Sequence, residues 1–197
     1  MKDLLPEIQA MRKPDHPIHL LIHNRWSPRA MTGEPISDSE LFSLFEAARW
    51  APSCYNEQPW RILYAKRDTP HWNTLFQLLV DFNKSWCVKG AVLGLFFSSV
   101  TFAKNGKYSP THAYDAGAAW ENLCLEGTGR GFVVHGMQGF DYEKAKELIP
   151  QGCEVLAMFA VGKRAPQSSL PQELREKEVP SGRKKISEFC FEGKVPK

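Results

Sequence analysis

Two arginines, a tryptophan and a serine fall within the loop Arg25-Trp26-Ser27-Pro28-Arg29, directly after an apolar stretch. Guanidinium groups stay charged at any working pH and their planar donors bond anionic oxygens in pairs, so paired arginines suit a phosphate. The same residues could also form an exposed basic turn. A second polar cluster is Ala51-Pro52-Ser53-Cys54-Tyr55-Asn56-Glu57-Gln58-Pro59-Trp60. Between its prolines, Ser53, Asn56 and Gln58 offer both donors and acceptors, which suits the edge of a polar heterocycle. Without context it reads as a helix-ending loop rich in turn formers.

Other signals point elsewhere or nowhere. His19 and His23 are four apart and would share a helix face, but no third ligand lies near them to complete a metal site. Gly127-Thr128-Gly129-Arg130-Gly131 has the glycines of a dinucleotide loop yet follows a helix rather than a strand, so it reads as a helix stop. The chain has no Gly-x-Ser-x-Gly elbow, P-loop or His-Glu-x-x-His, which excludes the hydrolase and nucleotide-triphosphatase readings those motifs would support.

The elements that must position these loops are legible in the apolar spacing. Residues 4–11 suit a short helix, and Ser37 with Glu40 forms a capping-box signature ahead of Leu41, Leu44, Phe45 and Ala48. That helix stops before Pro52. Residues 60–65 form a strand. Thr69-Pro70 opens a second amphipathic helix carrying Trp72, Leu75, Phe76, Leu79 and Val80. Residues 91–100 are a continuous apolar run, as in a strand buried on both faces at the sheet centre. Small residues Ala116 to Ala119 lie in a close-packing helix over 114–126 that Gly127 and Gly129 end. Strands over 131–135 and 155–161 flank a short helix that Asp141 caps and Pro150 terminates. After Arg164 the composition turns to Pro, Lys, Glu and Ser, with Ile186, Phe189 and Phe191 as the residues able to anchor it.

The order of elements is α+β, with a mixed, mainly antiparallel sheet wrapped by helices in a single domain over 1–197. The length of 197 residues allows a real core without a staple, and 43% apolar with 24% charged residues is ordinary globular composition. A net charge of +3 with scattered basic residues does not argue for nucleic acid. Five cysteines without a C-x-x-C suggest free thiols in a reducing compartment, and no apolar run reaches bilayer length. A cytoplasmic location with no membrane partner and no metal is the expectation.

Taken together the two loops resemble the nitroreductase family, which carries an Arg-x-Ser-x-Arg loop near its start and a Pro-Ser-x-x-Asn-x-Gln-Pro-Trp loop after it. Residues 115–123 resemble the family's small-residue core helix, 131–140 its glycine-bearing flavin loop, and 182–189 its basic C-terminal segment. The resemblance implies a three-layer fold and a homodimer with FMN at the subunit interface. Residues 165–197 would form an arm that embraces the partner. It implies that Arg25, Ser27 and Arg29 hold the FMN phosphate and ribityl chain, with Arg183 closing from the C-terminal side. Ser53 and Asn56 would approach the flavin from the partner subunit, and Asn83 would bond the pyrimidine edge. Backbone N–H groups around His135 and Gly136 would face flavin N5 and O4. Trp26, Pro52 and Cys54 belong to the same cofactor site by their place in the loops. No side chain is assigned as catalytic, since hydride would pass from NADH or NADPH through flavin N5 to a small acceptor by ping-pong turnover. A flavin carrier or redox-sensing module with little turnover would use the same cradle. Glu57 departs from the family pattern, and a carboxylate near a flavin that becomes anionic would oppose reduction unless it points away.

Overall fold

The computed structural model describes residues 3–196. Eight α-helices and four strands are present among them. The helices are α1 (Pro6–Met11), α2 (Leu20–Asn24), α3 (Asp38–Arg49), α4 (Trp72–Phe76), α5 (Asp81–Cys87), α6 (His112–Gly129), α7 (Tyr142–Lys146) and α8 (Gln172–Arg175). The strands are β1 (Trp60–Lys66), β2 (Val92–Ser99), β3 (Phe132–Met137) and β4 (Cys153–Lys163). They form one sheet in the order β1-β2-β4-β3. Every strand pairing is antiparallel, so the parallel component of the expected mixed sheet is absent from the described strands.

Alternation along β2 divides the core into two layers. Leu93, Leu95 and Phe97 face one cluster, which also contains Leu75, Trp86, Ala145 and Leu174. Val92 and Phe96 face the other, with Leu41, Leu44, Ala116, Ala119 and Leu123 from α3 and α6. With a partner strand on either side and helices above and below, β2 is apolar at nearly every position. This is an α+β, three-layer arrangement.

Local signals hold where local bonds suffice. The Ser37 hydroxyl accepts from the Glu40 N–H at 3.2 Å, and the Glu40 carboxylate accepts from the Ser37 N–H at 2.8 Å, closing the capping box of α3. They fail where distant chain competes. The helix expected from Thr69 through Val80 ends at Phe76, because the Val80 N–H donates to Gly139 O at 3.1 Å and the Asp141 N–H to Leu78 O at 2.8 Å. Residues 78–80 are thereby drawn beside 139–141, and a separate helix, α5, follows.

Gly127 does not end α6, which runs on to Gly129. A Cβ at Gly127 would sit 2.3 Å from Val134 Cγ2, so this glycine lets the helix lie close against β3. The left-handed turn comes later, at Gly131 with φ +78°.

The C-terminal arm divides in two. Ala165, Leu170 and Leu174 are buried in this chain's own core, and Glu178 is buried beside them, so the anchors lie upstream of Ile186, Phe189 and Phe191. Residues 181–196 are exposed throughout and are the stretch to which a partner-embracing role can apply. No described helix is long and apolar enough to cross a membrane.

Candidate functional site

The Arg25–Arg29 loop starts where α2 ends and is pinned from three sides. Its Pro28 carbonyl accepts from His135 Nδ1 of β3 at 2.9 Å, and the His135 ring packs 4.6 Å from Trp86 of α5. Because a carbonyl can only accept, Nδ1 carries the proton. Burial pushes His135 down to about 4, with the Arg29 and Arg25 charges adding to the shift against the opposing bond to Pro28, so the ring is neutral at pH 7.

The second support comes from the far end of the chain. Glu178 accepts from the Arg29 N–H at 2.9 Å and the Ala30 N–H at 2.9 Å, and Arg164 Nη1 lies 3.1 Å from its carboxylate. The Arg164 guanidinium also lies 4.7 Å over the ring of Trp26, which is nearly buried. Arg29 itself is engaged, with Nη1 donating to Lys177 O at 3.3 Å and lying 3.9 Å from Glu178. Its Nε is buried without a partner.

The third support is Arg12, at the end of α1. It donates from Nη1 to Arg25 O at 2.8 Å and to His23 O at 3.3 Å. Arg25 in turn reaches Ser27 Oγ at 3.4 Å and Glu121 of α6 at 3.5 Å.

Asn83 sits on α5, one turn before Trp86. It donates from Nδ2 to Gly139 O at 3.0 Å and accepts from Trp86 Nε1 at 3.3 Å. One amide N–H is left for a ligand. Asn83, Trp86, His135 and the Pro28 carbonyl thus form a continuous row from α5 across β3 to the arginine loop.

The Pro52–Trp60 loop is tied to a different place. Ser53 Oγ accepts from the Gln58 N–H at 3.0 Å, and the Cys54 N–H donates to Asp115 Oδ2 at 3.1 Å. Asp115 is buried in the first turn of α6, where the helix N-terminus favours an anion, and it also accepts from Thr111 Oγ1 at 3.2 Å. Tyr55, Asn56 and Gln58 all have positive φ near +55°, an uncommon conformation for non-glycine residues that marks a constrained loop. Glu57 Oε1 accepts from the Ala103 N–H at 2.7 Å, which turns this carboxylate toward the 101–108 loop. Asn56 and Tyr55 are exposed.

A sequence model of the nitroreductase family matches residues 22–70, a span that contains both loops. The chain is 31% identical over 84 residues to an uncharacterised 15.4 kDa protein of Mycolicibacterium smegmatis, a match covering 42% of this chain and 57% of that relative's length. The full chain has a fuller counterpart. A crystal structure of an oxidoreductase containing FMN is 37% identical, with a TM-score of 0.89 over 94% of this chain and 96% of that one. The chain belongs to the nitroreductase family. A protein of Desulfovibrio desulfuricans assigned as a nitroreductase, in complex with FMN, shares the fold at a TM-score of 0.70 and 23% identity, over 98% of this chain and 100% of that one.

In this nitroreductase-family chain, Arg25, Trp26, Ser27, Arg29, Asn83, His135 and Gly136 fall in one region, around the row just described. Pro52, Ser53, Cys54 and Asn56 are fastened to α6 and the 101–108 loop. Arg183 lies on the exposed arm and lines a cavity with Arg25. Sequence reasoning missed Arg12, Trp86, Arg164 and Glu178, which sit in no motif whose spacing would draw attention to them, and it gave Asp115 no role although this residue opens the 115–123 segment. Of the two histidines spaced four apart, His19 caps α2 by accepting from the Leu21 N–H at 3.2 Å. Among the described residues no group of three or more His, Cys, Asp or Glu could hold a metal.

Proposed function

We propose that this protein is an FMN-dependent oxidoreductase that moves hydride from NADH or NADPH to a small acceptor such as a nitroaromatic, a quinone or an activated alkene. The observation that carries the reading is the convergence of the Arg25–Arg29 loop with His135 and Asn83. Arg29, whose Nε is buried without a partner, lines a cavity of about 370 Å³ that also meets Trp86, Ser85 and Lys89. A buried donor without a partner is costly, so such a site fits a ligand of carbonyl and phosphate oxygens. FMN is that kind of ligand.

Bound FMN would supply the redox chemistry, accepting hydride from the nicotinamide and passing it on in a second half-reaction. The chain's residues bind and orient. Arg25, Ser27, Arg29 and Arg183 are assigned to the phosphate and ribityl chain, and Asn83 offers its remaining N–H to the pyrimidine edge. Backbone N–H groups around His135 and Gly136 are assigned to N5 and O4. Neutral His135 holds the loop without adding charge. The bond from Glu57 to Ala103 keeps an unfavourable carboxylate engaged elsewhere.

Ser53 and Asn56 are assigned to the flavin of a partner subunit, in a homodimer with shared sites. The bond that fastens their loop to α6 through the Cys54 N–H supports this, as does the exposure of the loop tip. If two chains share each cofactor, FMN tightens the dimer and dilution releases it.

The test is to titrate the purified protein with FMN, then follow NADH and NADPH oxidation with a nitroaromatic and with a quinone. FMN binding with ping-pong kinetics is the expected result. A protein that binds no FMN overturns the reading, and one that binds it but oxidises neither nicotinamide is a flavin carrier.

A further inference from the structure

Arg12 has two of its three guanidinium nitrogens occupied by the backbone. Nε donates to Ser181 O at 2.9 Å, at the start of the exposed arm, and Nη1 bonds the carbonyls of Arg25 and His23. Nη2 is buried with no partner. His23 is 9% exposed, and its Nε2 is buried and likewise unpartnered. Both residues line one cavity of about 850 Å³, together with Arg25, Arg183 and two lysines of the arm, against the carboxylates of Asp15 and Glu121. Burial, then the charges of Arg183 and Arg25, pulls Arg12 down to about 10. Glu121 pairs with Arg25 at 3.5 Å, while no ion pair to Arg12 or Arg183 is present among the described residues, so the like charges are only partly offset.

Arg29 is placed differently. Its backbone N–H and its guanidinium both meet Glu178, and its side chain lines the smaller cavity beside Trp86 and Arg175. The two arginines of the loop therefore do not share a cavity.

We propose that Arg12 joins Arg25 and Arg183 in a three-arginine pocket for a terminal phosphate monoester, which leaves Arg29 to the ribityl side of the same ligand. The proposal rests on the flavin reading for the identity of that ester. Arg12 stands outside the Arg-x-Ser-x-Arg loop, yet it joins the loop to the arm through the Arg25 and Ser181 carbonyls. A phosphate dianion would give its orphaned Nη2 a partner and offset the mutual repulsion of the three cations. The same Nε contact makes the order of residues 181–183 depend on the anion.

Riboflavin separates a phosphate contact from a structural one, since it is FMN without the phosphate. Arg12→Gln should weaken FMN binding about tenfold or more beyond any loss for riboflavin, as expected for loss of a charge-assisted bond in addition to the loop contacts. Both are read by flavin fluorescence on titration of the apo protein. Arg12→Lys keeps the charge and guards against a folding defect, and should show a smaller loss confined to FMN. Equal losses for FMN and riboflavin would make Arg12 a structural staple and overturn the proposal, as would no loss at all. In parallel, inorganic phosphate should raise the Tm of the apo wild type and not that of Arg12→Gln. If wild type binds neither flavin but shows this phosphate effect, the flavin reading fails and the pocket stands. If phosphate has the same effect on both proteins, or none on wild type, the pocket itself is wrong.

Discussion

Glu178 accepts the backbone N–H of Arg29, so a carboxylate in the C-terminal segment holds a loop 149 residues earlier in the chain. Its side chain is wholly buried, and it also bonds the Ala30 N–H and faces Arg164. Removing one partner of a buried charge pair leaves the other uncompensated, at a cost of roughly 3–5 kcal/mol. Glu178→Ala should therefore lower stability by about that amount, measured by urea unfolding. A loss within the scatter of surface substitutions would show that water takes over the role of the carboxylate.

Asp115 performs the equivalent task for the second loop. Asp115→Asn leaves an amide whose oxygen can still accept both bonds, but it removes the charge that strengthens those from the Cys54 N–H and the Thr111 hydroxyl. The expected cost is about 1–2 kcal/mol. Amide exchange at Cys54 should speed up while that of β2 stays unchanged. Uniform acceleration across both would mean general destabilisation rather than release of this loop.

His135 makes stability depend on pH in a definite direction. Its native value of about 4 lies below the ordinary imidazole value, so between the two the unfolded chain binds more protons than the native one. The stability it contributes is fully present above about pH 6.5 and is lost as pH falls through about 4. His135→Gln can keep an N–H donor for Pro28 and cannot titrate. Its Tm should fall less than that of wild type between pH 6.5 and 4. Parallel curves for the two proteins would remove His135 as the source.

Gly127→Ala sets two effects against each other. Alanine in a helix interior gains up to about 1 kcal/mol over glycine. The new Cβ would meet Val134 Cγ2 at 2.3 Å, and overpacking of this kind costs about 1–3 kcal/mol. The clash should win, so the variant should unfold at lower urea than wild type. A stabilised variant would show that α6 can move away from β3.

What the amino-acid sequence determined by itself was whatever depends on near neighbours. Ser37 and Glu40 make their capping box across three residues, and the unbroken apolar run of β2 requires cover on both faces whatever covers it. The donors of the two loops were legible too, because residue type sets hydrogen-bonding capacity before any contact forms. Tertiary structure decided the rest. Residues 78–80 had helical periodicity, yet bonds to 139–141 outweighed it, because a weak local preference yields to specific long-range pairing. Arg12 is an unremarked charge at the end of a short helix until Ser181, 169 residues later, and Arg25 close on its guanidinium. Glu178 lies in a stretch whose composition reads as solvated tail, and its meaning comes from two backbone N–H groups that no periodicity could assign to it. Spacing along the chain encodes contacts of a few residues' reach. Which cations end up together in one cavity is settled when distant segments close around it.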